Sequence, residues 1–107
     1  MKVLPVSADE VKKVIEAGDD ILLIDVRTPE EYSRGKIEKS INIPLDEIAD
    51  TALDKLPDKS KNIYVYCLSG SRSMIAAEEL VNLGYEHVYN IESGLLAWRA
   101  IGGLMVE

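Results

Sequence analysis

Ile63-Tyr64-Val65-Tyr66-Cys67-Leu68-Ser69-Gly70-Ser71-Arg72 starts as an apolar, β-branched and aromatic run and turns, within one residue, into a loop of small polar side chains. The run reads as a strand. Beyond the loop, Ala76, Leu80 and Leu83 share one face at helical spacing, and Gly84 supplies a stop. The unit is strand, short loop, helix, with a cysteine at the carboxyl end of the strand.

The same alternation extends both ways. Upstream, Ile21-Leu22-Leu23-Ile24-Asp25-Val26 is almost continuously apolar, as a strand buried on both faces should be. Thr28-Pro29-Glu30-Glu31 is a capping box with proline at the first helical position, opening a short helix that ends near Gly35. Ile41-Asn42-Ile43 is a brief strand stopped by Pro44. Leu45 to Leu56 holds one or two short helices, and 57–61 is a polar turn. Nearer the start, Ser7-Ala8-Asp9-Glu10 is another capping box, with Ala8, Val11 and Ile15 on one helical face and Gly18 as the stop. Downstream, Val88-Tyr89-Asn90-Ile91 is a strand, and Ser93-Gly94 opens a helix on which Leu95, Trp98 and Ile101 align. Strands alternating with helices predict right-handed crossovers and a mostly parallel sheet covered on both sides. Ligands of such sheets bind beyond the carboxyl ends of the strands. Two polar clusters fall there, Asp25-Val26-Arg27 and the loop that begins at Cys67.

At 107 residues, 47% hydrophobic and 29% charged, the chain fits one domain, 1–107, with one core. Nineteen acids against twelve bases give a net charge of −7, which argues against nucleic acid and against an anionic membrane surface. No apolar run is long enough to span a bilayer, and Met1-Lys2-Val3-Leu4-Pro5 does not read as a signal peptide. A cytoplasmic location is the expectation. A single cysteine rules out an internal disulfide and a four-cysteine zinc site. With His87 the only histidine, neither a metal site nor a cofactor is expected.

The setting of Cys67 favours a reactive thiolate over an inert core thiol. Amides at a helix start carry partial positive charge, and Gly70 lets successive amides turn inward as an anion nest. Ser69, Ser71 and Ser73 offer hydroxyl donors. Arg72, folded over the loop, would add a full charge. Such sites lower a cysteine from about 8.5 to roughly 3.5–7.5. Asp25 and Arg27 could shape the site, but a structural ion pair is the better reading. Glu31 is explained by its capping box, and His87 lies at the wrong end of a strand to serve Cys67.

Cys67-Leu68-Ser69-Gly70-Ser71-Arg72-Ser73 resembles the active-site loop of single-domain rhodaneses. Asp25-Val26-Arg27-Thr28-Pro29-Glu30-Glu31-Tyr32, then Gly35-Lys36-Ile37 and Ser40-Ile41-Asn42-Ile43-Pro44, resembles that family's N-terminal signature, and Gly94-Leu95-Leu96-Ala97-Trp98 its C-terminal one. The resemblance covers nearly the whole chain. It implies an α/β fold with a central, mostly parallel five-stranded sheet and helices on both faces. It also implies a sulfurtransferase that takes a sulfane sulfur from a donor such as thiosulfate or a persulfide. Cys67 would hold the sulfur as a persulfide and pass it to cyanide or to a thiol such as glutathione, thioredoxin or a sulfur-carrier protein. Leu68, Ser69, Gly70, Ser71 and Arg72 would form the substrate cradle. Lys36, Lys39 and Ser93 depart from the family pattern, the last two where glycine is common. Leu68 stands where some relatives carry a basic or polar residue, so a poor fit for thiosulfate is expected. Two other readings are a non-catalytic interaction module of the same fold and a phosphatase or arsenate reductase. The phosphatases of this fold place five residues between cysteine and arginine, not four, and usually have histidine where this chain has Tyr66.

Overall fold

The apolar runs form the centre of a five-stranded parallel sheet in the computed structural model, which describes residues 2–107. In chain order the elements are β1 (Leu4–Val6), α1 (Ala8–Glu16), β2 (Ile21–Asp25), α2 (Pro29–Ser33), β3 (Lys36–Ile37) and β4 (Ile41–Asn42). A single 3-10 turn (Leu45–Glu47) leads into α3 (Ile48–Lys55). Then come β5 (Asn62–Tyr66), α4 (Ser71–Asn82), β6 (His87–Ile91), α5 (Gly94–Ala100) and β7 (Met105–Val106). The sheet order is β1-β6-β5-β2-β4, and every pairing in it is parallel.

Two-residue periodicity divides the sheet into two buried faces. Ile63, Val65 and Cys67 of the β5 run pack with Ile24, Val26 and Val88 beneath α3 and α4, represented by Ile48, Ala52, Ala76 and Leu80. Tyr64 and Tyr66 point the other way, with Leu23 and Ile91, toward Val11 of α1 and Leu95 and Trp98 of α5. Helices therefore cover both faces, as the near-continuous apolar strands require.

Both capping boxes form. The Ser7 hydroxyl accepts from the Glu10 amide at 3.1 Å while Glu10 accepts from the Ser7 amide at 3.0 Å. Thr28 and Glu31 do the same at 3.2 and 3.1 Å. Ile15 differs from expectation: it is 38% exposed, one residue from the end of α1. Three short strands were not legible. β1 has three residues with a proline in the middle, and it sits at the sheet edge, where a missing ladder donor is tolerated. β3 and β7 pair antiparallel over two residues each, too few to show a period.

Among the described residues, Lys39 and Ser93 are the non-glycine residues with positive φ, at 69° and 57°, and both are positions where the resemblance leads one to expect glycine. Lys39 occupies a turn closed by a hydrogen bond from the Ser40 amide to the Ile37 carbonyl at 3.1 Å. A side chain in the left-handed region crowds the following carbonyl by roughly 1–2 kcal/mol, and glycine escapes that cost at some loss of backbone entropy. Lys39→Gly is expected to raise stability by about 1 kcal/mol, read as a higher urea midpoint at unchanged slope. A lower midpoint would contradict the strain assignment.

Candidate active site

Cys67 is the first residue beyond β5, and α4 begins four positions later. The amides of Leu95 and Leu96, at the start of α5, donate to the carbonyls of Cys67 and Leu68 at 2.9 and 3.1 Å. That approach is so close that a Cβ on Gly94 would overlap the Cys67 carbonyl oxygen. With the carbonyls held toward α5, the loop amides face the sulfur. Gly70, at φ 104°, donates its amide to Cys67 Sγ at 3.0 Å.

Sequence reasoning expects a reachable sulfur, but the structure buries it: Cys67 is 0% exposed, on the flank of the core beneath α4. Burial by itself pushes the thiol up. The Ser73 hydroxyl and amide and the amides of Gly70 and Ser69 outweigh it and hold Cys67 below the ordinary thiol value. Ser73 is itself fully buried. Its one hydroxyl proton has two other acceptors in reach, the Gly70 carbonyl at 3.1 Å and Asn90 Oδ1, and serves Cys67 only when turned from them. The Asn90 amide donates to the same Gly70 carbonyl at 3.3 Å. Asn90, at the carboxyl end of β6, thus fixes Ser73 and the loop together. Residue type and spacing gave no signal for this role.

Arg72 does not fold onto the sulfur as expected. Its two terminal nitrogens donate to the two carboxylate oxygens of Glu31, at 2.7 and 3.1 Å. Its charge still reaches Cys67, whose thiolate helps to raise the Arg72 pKa, though the Glu31 bonds do so more. Arg72 foremost, against opposing burial and with help from the Thr28 amide, holds the Glu31 carboxyl down at about 2. Glu31 is therefore both a helix cap and the partner of the loop's cation. The second role spans 41 positions and was not legible in the sequence.

The other expected residues are placed as follows. Leu68 is half-buried against the opposite cluster, around Trp98 and Ile91, so it presents its backbone to the loop. Ser69 and Ser71 are exposed. Asp25 and Arg27 form a buried ion pair at 2.7 Å. Arg27 also donates to the Gly35 carbonyl at 2.6 Å and lies over the ring of Tyr66, which belongs to the face opposite Cys67. Their bonds tie β2 to the chain after α2. His87 is exposed at the amino end of β6, away from the loop. Among the described residues no group of three or more metal-ligating side chains occurs, and no helix is long and apolar enough to cross a membrane.

The model of the Rhodanese-like domain family matches residues 7–101. A "Sulfurtransferase" of Allochromatium vinosum is 30% identical over 97 residues, covering 91% of this chain and 89% of the relative. The "Thiosulfate sulfurtransferase PspE" of Escherichia coli is 43% identical over 67 residues, 63% of this chain and 64% of that protein. Among solved structures, the rhodanese-like domain of an Anabaena protein superposes with a TM-score of 0.89 at 33% identity, over 99% of this chain and 80% of that one.

The hydrogen bonds at Cys67 predict the sign of its titration. Thiolate absorbance, or alkylation rate against pH, should give a midpoint below that of a free thiol measured alongside. The limiting alkylation rate should be slower than that of a free thiol, because the sulfur is covered. Ser73→Ala should move the midpoint up, since burial then has less to oppose it. A midpoint at or above the free-thiol value in the parent protein would show that burial dominates.

Proposed function

The chain belongs to the Rhodanese-like domain family, and we propose that it is a sulfurtransferase that carries sulfane sulfur as a persulfide on Cys67. The observation that carries this reading is the inward set of donors around one sulfur: the Gly70 amide at 3.0 Å, with the Ser73 hydroxyl and the amides of Ser69 and Ser73 lowering its pKa. Such a nest stabilises a negative sulfur, and the thiolate is the nucleophilic form.

In the first half-reaction the Cys67 thiolate attacks the outer sulfur of the donor. A new S–S bond forms on Cys67, the donor's S–S bond breaks, and its electron pair leaves with the remaining group, as sulfite from thiosulfate or a thiolate from an organic persulfide. In the second half-reaction an acceptor attacks the outer sulfur and Cys67 departs as the thiolate. The chain has one cysteine, so the acceptor is external. Cyanide, glutathione, thioredoxin or a sulfur-carrier protein each satisfies the chemistry, the thiols being acceptors that a reducing cytoplasm supplies. Four residues between Cys67 and Arg72 make a cradle narrower than the five-residue phosphatase loop, which favours sulfur over phosphate.

One observation favours a second reading. The complete burial of Cys67 means that transfer requires the loop mouth to open, and a module that only binds partners would not need it to. Incubation with thiosulfate or glutathione persulfide separates the two. Intact mass should rise by one sulfur, fall back on adding cyanide, and not rise in Cys67→Ala. An equal gain in both proteins would remove Cys67 as the carrier. No gain from either donor would favour the binding module.

A further inference from the structure

We propose that Glu31 sets the donor specificity of this site: by pairing with the Arg72 guanidinium it disfavours the thiosulfate dianion and leaves the site to an organic persulfide reacting in its protonated RS–SH form. The inference rests on the sulfurtransferase reading above and names its substrate class.

Arg72 is the only cation in the loop, and its charge is paired with Glu31, which takes one N–H from each of its two terminal nitrogens. The carboxylate is not free to swing away. Its Oε1 also accepts from the Thr28 amide at 3.1 Å and the Thr28 hydroxyl at 3.2 Å, so an incoming anion would have to break a helix cap as well as an ion pair. The other nearby guanidinium, Arg27, is neutralised by Asp25 in the same way. Once Cys67 ionises, the site holds one unbalanced negative charge, offset by amide and hydroxyl dipoles and by the weakened field of the paired Arg72.

The cleft beside Arg72 has the same character. Val26, Pro44 and Leu45 give it apolar walls, Thr28 and Arg72 complete it, and its one further charged side chain is a second acid, Asp46. An oxyanion entering there meets the Asp46 carboxylate and a guanidinium already paired with Glu31. An aliphatic thiol group meets hydrocarbon.

The two donors differ in charge at the moment of reaction. Thiolate and thiosulfate together carry three negative charges, which remain as the Cys67 persulfide anion and sulfite. Thiolate and RS–SH together carry one: Cys67 takes the outer sulfur with its proton, and RS⁻ leaves. Repulsion between like charges in a partly buried site is screened far less than in water. The excess charge of thiosulfate therefore falls on a cleft that has no free cation to receive it.

Glu31→Gln isolates the charge, because glutamine serves a capping box as well as glutamate does. Asp46→Asn is a second variant at an exposed position outside the α2 cap. The measurement is the second-order rate at which Cys67 gains one sulfur, by quenched intact mass, from thiosulfate and from the persulfide of an uncharged thiol, 2-mercaptoethanol, with the persulfide rate referred to its protonated RS–SH form. The parent protein should load faster from the persulfide. In Glu31→Gln the thiosulfate-to-persulfide rate ratio should rise about tenfold, and in Asp46→Asn about threefold. A loss of helix-cap stability would slow both donors together and leave the ratio in place. An unchanged ratio in both variants, with the parent protein still loading Cys67, overturns the role of Glu31 and leaves the sulfurtransferase reading standing. Failure of the parent protein to load from either donor overturns both.

Discussion

Two hydrogen bonds, from the amides of Leu95 and Leu96 to the carbonyls of Cys67 and Leu68, govern what the sulfur experiences. A trans peptide sets its carbonyl and its N–H on opposite sides. Fixing these two carbonyls toward α5 therefore turns the amides of Leu68 and Ser69 away from it and into the loop. The loop crosses from one face of the sheet to the other at this point: α5 lies over one face, and the Cys67 side chain packs on the other. The start of α5 is positioned in turn by its far end. Trp98 is buried and donates its indole N–H to the Leu104 carbonyl at 3.0 Å, and a side chain at Gly103 would run into the indole ring. Packing some way from the sulfur thus sets the direction of the dipoles around it.

A second set of bonds places the other wall. The Asp25–Arg27 pair is buried, and such pairs are costly to desolvate but costlier to break, on the order of 3–5 kcal/mol when one partner is removed. Here no polar atom is left over. Arg27 reaches the Gly35 carbonyl, and Asn42 donates to the carbonyls of Asp25 and Arg27, each at 3.0 Å. The Tyr66 hydroxyl donates to Ser40 and accepts from the Ile37 amide. Together they hold the excursion from β2 to β4 that carries α2. Its first turn presents Glu31 to Arg72. The pair singled out at the strand end thus acts on the site by fixing the segment that bears Glu31.

The fold was legible where periodicity had room to act. The runs at 21–26 and 63–66 and both capping boxes became what their residue types dictate, and Cys67 fell at the strand-to-helix junction. Of the short strands β4 was legible, from Pro44 as its stop, whereas β1, β3 and β7 carry no period and are made by their neighbours. At the site, the amide nest could be read from Gly70 and the position of the loop, since backbone donors follow from topology. The partner of Arg72 could not be read, because an ion pair across 41 positions depends on how α2 is set against α4. The same holds for Asn90, which looked like one more strand residue. The burial of Cys67 was missed for a related reason: small polar neighbours in sequence suggested an open loop, whereas the side chain follows the β5 alternation into the core.

That burial gives the dipolar nest its purpose. A full cation held against the thiolate would lower its pKa strongly, and would also draw electron density from it and so dull it as a nucleophile. Amides and a serine hydroxyl stabilise the negative charge without fixing it at one point. Under the proposed reaction the charge moves outward by roughly one S–S bond length, about 2 Å, as the persulfide forms. Donors spread from Ser69 to Ser73 along a turn can follow that movement, while a guanidinium centred on Sγ would resist it. Arg72, held off by Glu31, contributes field without contact. In an acidic chain with one cysteine, this division lowers the sulfur's pKa chiefly by backbone geometry, and under the proposed donor specificity the side-chain charges select what approaches it.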